Sequence, residues 1–282
     1  LPQLKQLVTN YKPALLFSDG DWWMDYKKWR TLQFLSWALN NAANKDELVF
    51  NDRWGKVRGK HGGYYTTEYG SGFADGTIPW EENRGIGMSF GINRIENIDD
   101  YRTDKELIFM LVDIVSRGGN LLLNIGPNAD GTIPVIMQQR LIEIGNWLSV
   151  CGEGIYNTKQ WIKDAQWSSG MIPSFTKNDF HAGFPIYEMT INPKMGNAVK
   201  EFWFTKKENH LYVFTPQWPK KTKLLIKDVK TTIKTEVKLM GCEKSLPYTE
   251  TSKGIIIDIS SINIHDLKSH YVFGFKISNI KE

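Results

Sequence analysis

The stretch Ala14 to Trp23, ALLFSDGDWW, starts as a strand and stops abruptly. Residues 14–18 are almost wholly apolar, and two acids, a glycine and two tryptophans follow at once. Continuous apolarity over so short a run predicts a strand buried on both faces, as in a parallel sheet. In parallel α/β folds, functional side chains lie at the C-terminal ends of strands. That rule singles out Asp19, although an acid at such a place is also commonly a turn or cap residue. Gly20 predicts a sharp turn away from it, and Asp21 reads as a solvated turn acid.

Two further stretches share this texture: 47–51 (ELVFN) and 120–125 (NLLLNI). Helical spacing fills the intervals. Residues 26–42 carry Trp29, Leu32, Leu35, Ser36 and Leu39. Residues 104–117 carry Leu107, Leu111, Ile114 and Val115, with Asp104 as the expected cap. Residues 134–150 carry Met137, Leu141, Ile144 and Leu148, with Pro134 placed in the first turn. Strand, helix, strand, helix is the rhythm of an α/β layer or barrel. After Thr158 the pattern changes to short alternating runs, EFWFT, HLYVFT, KLLIK, TEVKLM, GIIIDI and YVFGFKI, separated by turn residues. These predict an antiparallel β domain. The polar stretch Lys159 to Gly170 is the expected connection, giving a 1–160 α/β portion and a 161–282 β portion. A full (β/α)8 barrel takes about 250 residues, so the first portion amounts to a smaller open sheet or half of a barrel.

Composition bounds the function. The chain has 282 residues, 41% of them hydrophobic, enough for a sizeable core. Net charge is +4, with basic and acidic residues interleaved. The densest basic run, Lys220 to Lys238, alternates with β-branched residues as a solvated strand face does, which argues against nucleic-acid binding. Eleven tryptophans favour stacking on a ligand, though large cores also hold many. The two cysteines, Cys151 and Cys242, have no metal spacing. No apolar run reaches the ~18 residues of a membrane span, so no membrane insertion is expected. The chain opens on Leu1 rather than Met and reads as processed or as a piece of something longer.

The three strand ends converge on polar residues: Asp19; Asn51, Asp52 and Arg53 in NDRWG; and Asn124 before GPNADG. Cleaving a glycosidic bond needs two carboxyls, one at the anomeric carbon and one protonating the departing oxygen. Asp19 suits the first role, with Arg53 holding it ionised or binding hydroxyls. For the second, Glu68 in HGGYYTTEYG lies among Tyr64, Tyr65 and Tyr69, a wall that would raise a carboxyl pKa. Glu81 and Glu82 in PWEENRG compete, although Glu81 reads equally as a salt-bridge partner of Arg84. Other signals fail. GIGMSFG (Gly85–Gly91) misses the phosphate-cradle spacing and reads as a closely packed strand. His61, His181, His210, His265 and His270 form no metal pattern. NADGT lacks the acidic alternation of a calcium loop and reads as a turn into the next helix. No G-x-S-x-G occurs.

Together SDGDWW, VFNDRWG, HGGYYTTEY, PWEENRGIGMSFGINR, GGNLLLNIGPNADGTI and WLSVCGEGIY, in that order over residues 11–161, resemble the α-L-fucosidases. The resemblance implies the C-terminal half of a (β/α)8-like barrel followed by an antiparallel β-sandwich. It implies a retaining exo-hydrolase, lysosomal or secreted, that removes terminal α-linked L-fucose from glycans through a covalent fucosyl-aspartate. Asp19 matches the nucleophile and Glu68 the acid/base. Glu81 is the alternative acid/base: the family's K-W-E-x-C stands here with Pro79 for Lys and Asn83 for Cys. Arg53 and Phe90 match residues lining the fucose pocket, and Trp22 and Trp80 fall on the aglycone side. No metal or organic cofactor is implied, and the partner is a fucosylated glycan; a homo-oligomer is allowed. Family members begin with a barrel half that this chain does not show. Half a barrel would expose two sheet edges and an apolar interior, so the chain by itself is expected to be poorly stable and inactive. Two other readings stay open: a non-catalytic fucose-binding or inactive truncated derivative of the fold, and a glycosidase of different specificity on a similar barrel.

Overall fold

The computed structural model describes residues 1–56, 63–73, 76–173 and 184–281. His61 and His181, and with them the start of the HGGYY motif, lie outside the described residues. The chain divides into two compact units, Leu1–Thr67 with Thr77–Glu81, and Glu68–Gly76 with Glu82–Glu282.

The first unit begins with a helix that the sequence reading did not anticipate, α1 (Pro2–Tyr11). Pro2 suits its first turn, where the missing N–H has no helical partner to lose. Two short parallel strands follow, β1 (Leu15–Leu16) and β2 (Val49–Phe50), paired Leu15 with Val49 and Leu16 with Phe50. The expectation of burial on both faces fails. Leu16 and Phe50 are buried, whereas Leu15 is 47% and Val49 45% exposed. Only one face is covered, by Phe34, Leu35 and Ala38.

Those three residues belong to the helical stretch predicted over 26–42, which is two helices, α2 (Tyr26–Trp29) and α3 (Thr31–Asn41). Arg30 separates them in the left-handed region at φ 57°. Asp25 caps α2, accepting from the Lys27 and Lys28 N–H groups at 2.9 and 3.0 Å. The apolar face also differs from the predicted one. Phe34, Leu35 and Ala38 face inward, while Trp29, Leu32 and Leu39 are exposed. The buried stripe of α3 is Thr31, Phe34, Leu35 and Ala38, at i, i+3, i+4 and i+7, and shares only Leu35 with the predicted face.

The chain passes between the units along β3 (Tyr65–Glu68) and β4 (Trp80–Gly85). In the second unit, α4 (Asp104–Ser116) is capped by Thr103, not Asp104. Thr103 and Glu106 form a reciprocal capping box, which satisfies two orphan donors at once. Strand β5 (Gly119–Asn124) leads to α5 (Val135–Cys151). The predicted strand across GIGMSFG is absent: β4 ends at Gly85 and the following residues bend. Close approach does hold at Gly85, where a Cβ would come 2.3 Å from the Ser89 carbonyl oxygen.

The polar stretch read as a connection is a nine-residue strand, β6 (Lys159–Trp167). It pairs with β7 (Lys200–Lys207) across a register shift between Gln160 and Ala165. The remaining strands are β8 (His210–Thr215), β9 (Lys223–Lys227), β10 (Glu236–Leu239), β11 (Tyr248–Thr251), β12 (Gly254–Asp258) and β13 (Phe273–Ser278). They form a five-stranded sheet, β10-β13-β8-β7-β6, and a three-stranded sheet, β11-β12-β9. Their ladders are antiparallel. Alternate residues supply one core: Leu211, Val213, Phe275 and Ile277 from one sheet, Leu224, Ile226, Ile255 and Ile257 from the other. Period-two burial of this kind is what makes two sheets a sandwich.

Candidate active site

In the first unit the site is assembled where β1 and β2 end. Asn51 ties the two ends together. Its Oδ1 accepts from the Ser18 N–H at 3.1 Å and from the Ser18 hydroxyl at 3.1 Å. Its Nδ2 donates to the Ser18 carbonyl at 2.8 Å. The Ser18 hydroxyl also contacts the Arg53 carbonyl oxygen. Gly20 then takes φ 84°, the conformation glycine adopts without steric penalty, and the chain turns away.

Between these ends, Arg53 Nη1 donates to Asp19 Oδ1 at 2.9 Å. The pair is lopsided: the Asp19 side chain is 57% exposed and that of Arg53 1%. Asp19 is the exposed partner of the pair, and the guanidinium is the buried one. Arg53 is fixed from behind, with Nε donating to Thr66 Oγ1 at 2.8 Å. The Thr66 hydroxyl in turn donates to Asp52 Oδ1 at 2.7 Å, and the Thr66 N–H donates to the same oxygen at 3.1 Å. Asp52, Thr66 and Arg53 are all buried, so Asp19 is held by a rigid relay. Nothing in the local sequence marks Thr66 for this part. It is one hydroxyl in the run YYTTEY, and only the strand's alternation points it inward.

Asp19 and Arg53 line a cavity of about 280 Å3, shared with Asp21, Thr31 and Trp54. Asp21 is 4% exposed, which corrects its reading as a solvated turn acid. The Trp54 Nε1–H is buried on this side without a hydrogen-bond partner among the described residues. Trp22, 53% exposed, offers its indole to solvent, whereas Trp80 is 1% exposed and presents no open face. Glu81 is half-buried, and its charge lies near Tyr64. Burial pushes the Tyr64 hydroxyl well above the ordinary tyrosine range; the Glu81 and Asp52 charges add to this and Arg53 opposes it.

The second unit holds Glu68 and Phe90. Glu68 ends β3, half-buried, followed by Tyr69 in the left-handed region at φ 50°. Tyr69 is anchored twice: its hydroxyl accepts from the Gly85 N–H at 3.0 Å, and its ring meets Phe90 edge-on at 5.0 Å. Burial raises the Tyr69 pKa, against the bond from Gly85 and the Arg84 charge. Phe90 is 36% exposed, and the Asn124 amide holds its carbonyl. Asn124 thus does at the third strand end what Asn51 does at the second. The acid beside Arg84 is Glu82, not Glu81: Arg84 Nε lies 3.3 Å from Glu82 Oε1, both buried. Glu82 also accepts from the Gly70 N–H at 3.1 Å. Side chains alternate along β4, which places residues 82 and 84 on one face and 81 on the other. Among the described residues, no three His, Cys, Asp or Glu side chains gather as metal ligands.

Comparison with known proteins converges on one group. Residues 1–153 match the alpha-L-fucosidase family and residues 196–278 the alpha-L-fucosidase C-terminal domain. An alpha-L-fucosidase of Dictyostelium discoideum is 34% identical over 291 aligned residues, covering 100% of this chain and 56% of that protein. The tissue alpha-L-fucosidase of Homo sapiens is 33% identical, covering 100% of this chain and 55% of its own. The solved structure of Thermotoga maritima alpha-fucosidase with a mechanism-based inhibitor superposes with a TM-score of 0.72 at 29% identity, over 98% of this chain and 55% of that one. The chain thus spans about half the length of the curated relatives it matches.

Proposed function

This chain belongs to the α-L-fucosidase family, and we propose that it carries the catalytic acids of a retaining exo-hydrolase releasing terminal α-linked L-fucose from glycoproteins and glycans. The observation that carries the reading is the Asp19–Arg53 pair at the strand ends. Arg53 engages Oδ1 and leaves Oδ2 as the attacking atom of an exposed carboxylate. Oδ2 bonds to the anomeric carbon as the glycosidic C–O bond breaks. The departing oxygen takes its proton from Glu68. The Glu68 carboxylate then removes a proton from water, whose oxygen displaces Asp19 from the same carbon, so two inversions give net retention.

Within this proposal Arg53 and Phe90 bound the fucose subsite and Trp22 lies on the aglycone side. Trp80 supports that side from the interior, and Glu81 is the alternative proton donor. Residues 1–160 form the catalytic portion and 161–282 the β-sandwich portion. No helix among the described residues is long and apolar enough to cross a membrane. A lysosomal or secreted location is proposed from the relatives, which include a plasma enzyme of Rattus norvegicus.

The test is Asp19→Gly assayed on a chromogenic α-L-fucoside, with and without azide. Loss of turnover with partial recovery in azide is expected, because the small anion fills the vacated place. Near-normal activity of the variant without azide would overturn the assignment.

A further inference from the structure

The β-sandwich has a cavity of its own, about 470 Å3, beside the connection from β8 to β9. That is the size of small-ligand sites. Five lysines line it, Lys200, Lys220, Lys221, Lys223 and Lys227. Lys200 is held by Asp113 and Asp164, and Lys223 lies across the strand pair from Asp258, whereas Lys220, Lys221 and Lys227 have no ion pair among the described residues. Elsewhere in the same unit Lys163 holds Asp228 and Lys276 holds Glu153. Glu201 is the one acid on the cavity wall. The three unpaired ammonium groups around one concavity repel one another in the empty protein, and an anion relieves that repulsion.

The wall is also preorganised. Gln166, 5% exposed, spends its whole amide on β9: Nε2 donates to the Leu225 carbonyl at 2.9 Å, and Oε1 accepts from the Lys227 N–H at 3.0 Å. The Thr215 hydroxyl donates to the Gln217 carbonyl at 3.0 Å, ordering the opposite edge. Trp218 sits between Pro216 and Pro219 and is clamped at 5.1 Å against Phe273 and 6.4 Å from Phe275. Its remaining surface faces the cavity. One fixed indole among ammonium groups suits one sugar ring, whose apolar C–H face stacks while its anionic substituents meet lysines. A nucleic-acid strand would need a groove with successive stacking platforms, and this concavity offers one.

We infer that the cleft between Trp218 and the lysines of the β8–β9 connection is a second binding site, for anionic oligosaccharides bearing sulfate or carboxylate groups. It lies within the β-sandwich unit and does not depend on turnover at Asp19.

The test is calorimetric titration of the full chain with a sulfated tetrasaccharide, its desulfated counterpart, a single-stranded oligonucleotide and a polyglutamate of equal charge. The sulfated sugar is expected to bind, more weakly as salt rises, and to bind better than the other three. The triple change Lys220→Glu, Lys221→Glu, Lys223→Glu should weaken it about tenfold or more. The matched change Lys230→Glu, Lys234→Glu, Lys281→Glu, away from the cavity, should not. Should the first variant misfold, Lys220→Ala with Lys221→Ala gives the same comparison. Equal weakening in both sets, no binding of the sulfated sugar, or equal binding of the oligonucleotide or polyglutamate would overturn the proposal.

Discussion

The carboxylate of Asp113, fully buried on α4, lies 2.7 Å from Nζ of Lys200 on β7. The same carboxylate takes Arg117 at 2.8 Å and the indole N–H of Trp203 at 2.9 Å. Arg117 reaches on to the Ser71 carbonyl at 2.6 Å. One acid therefore joins a helix of the α/β portion to a strand of the sandwich. Burial alone would push this carboxyl up. The Lys200 and Arg117 charges, with the bonds from Lys200 and Trp203, reverse that and hold it at about 2. Replacing Asp113 by Asn leaves two buried cations short of their counter-charge, and breaking a buried pair this way costs about 3–5 kcal/mol. Urea denaturation of the Asn variant should show a loss of that order. Because the folded pKa is depressed, the contribution is complete above the unfolded value of 3.8 and drains away as pH falls through about 2. The gap between wild type and variant should therefore narrow on the acid limb, and a pH-independent gap would refute this account.

Thr66 is expected to act on the site without touching substrate. Thr66→Val removes the acceptor for Arg53 Nε and a donor to Asp52, while keeping shape. Disturbing such a buried hydrogen-bond set costs about 1–3 kcal/mol. Fucoside turnover should fall together with thermal stability, with kcat affected more than KM. Thr66→Ser keeps the hydroxyl and should restore both. A serine variant as impaired as valine would mean that packing, not the relay, matters.

Leaving-group chemistry separates Glu68 from Glu81. An acid catalyst matters most when the departing oxygen is basic. The acid/base Gln variant should lose far more activity on an alkyl fucoside than on a dinitrophenyl one. Glu68→Gln is expected to behave so and Glu81→Gln is not; the reverse pattern would reassign the role.

The two cysteines should differ sharply as thiols. Both are free, and burial pushes Cys151 up to about 12, against bonds from Ser269 and Gly274. Reactivity follows the thiolate. At neutral pH a thiol reagent should label Cys242, which is partly exposed, and reach Cys151 only after denaturation. Rapid labelling of both in the native state would contradict the packing of α5.

Much of the architecture is written in local pattern. Alternation of apolar residues in HLYVFT, KLLIK and GIIIDI places strands β8, β9 and β12, because side chains on a strand point alternately to two faces. The apolar runs before Asp19 and Asn51 place β1 and β2, and the strand-end rule makes Asp19 a candidate. Polar strands were not legible. Lys159–Trp167 joins a sheet because β7 offers it a ladder, which its own composition does not announce.

The sequence by itself determined an alternating strand-and-helix portion, the antiparallel β portion after it and the acids worth considering. Tertiary structure alone decided what each acid meets. Asp19 meets an arginine 34 residues away, and Arg53 meets a threonine 13 residues on. Asp21 is buried rather than solvated, and Glu82 rather than Glu81 takes Arg84. The helix over 26–42 breaks at Arg30 and buries a face the continuous spacing did not show. The physical reason is range. Propensity and periodicity act through neighbours a few residues apart, whereas a charge is paired, buried or exposed by whichever strand end the fold brings beside it.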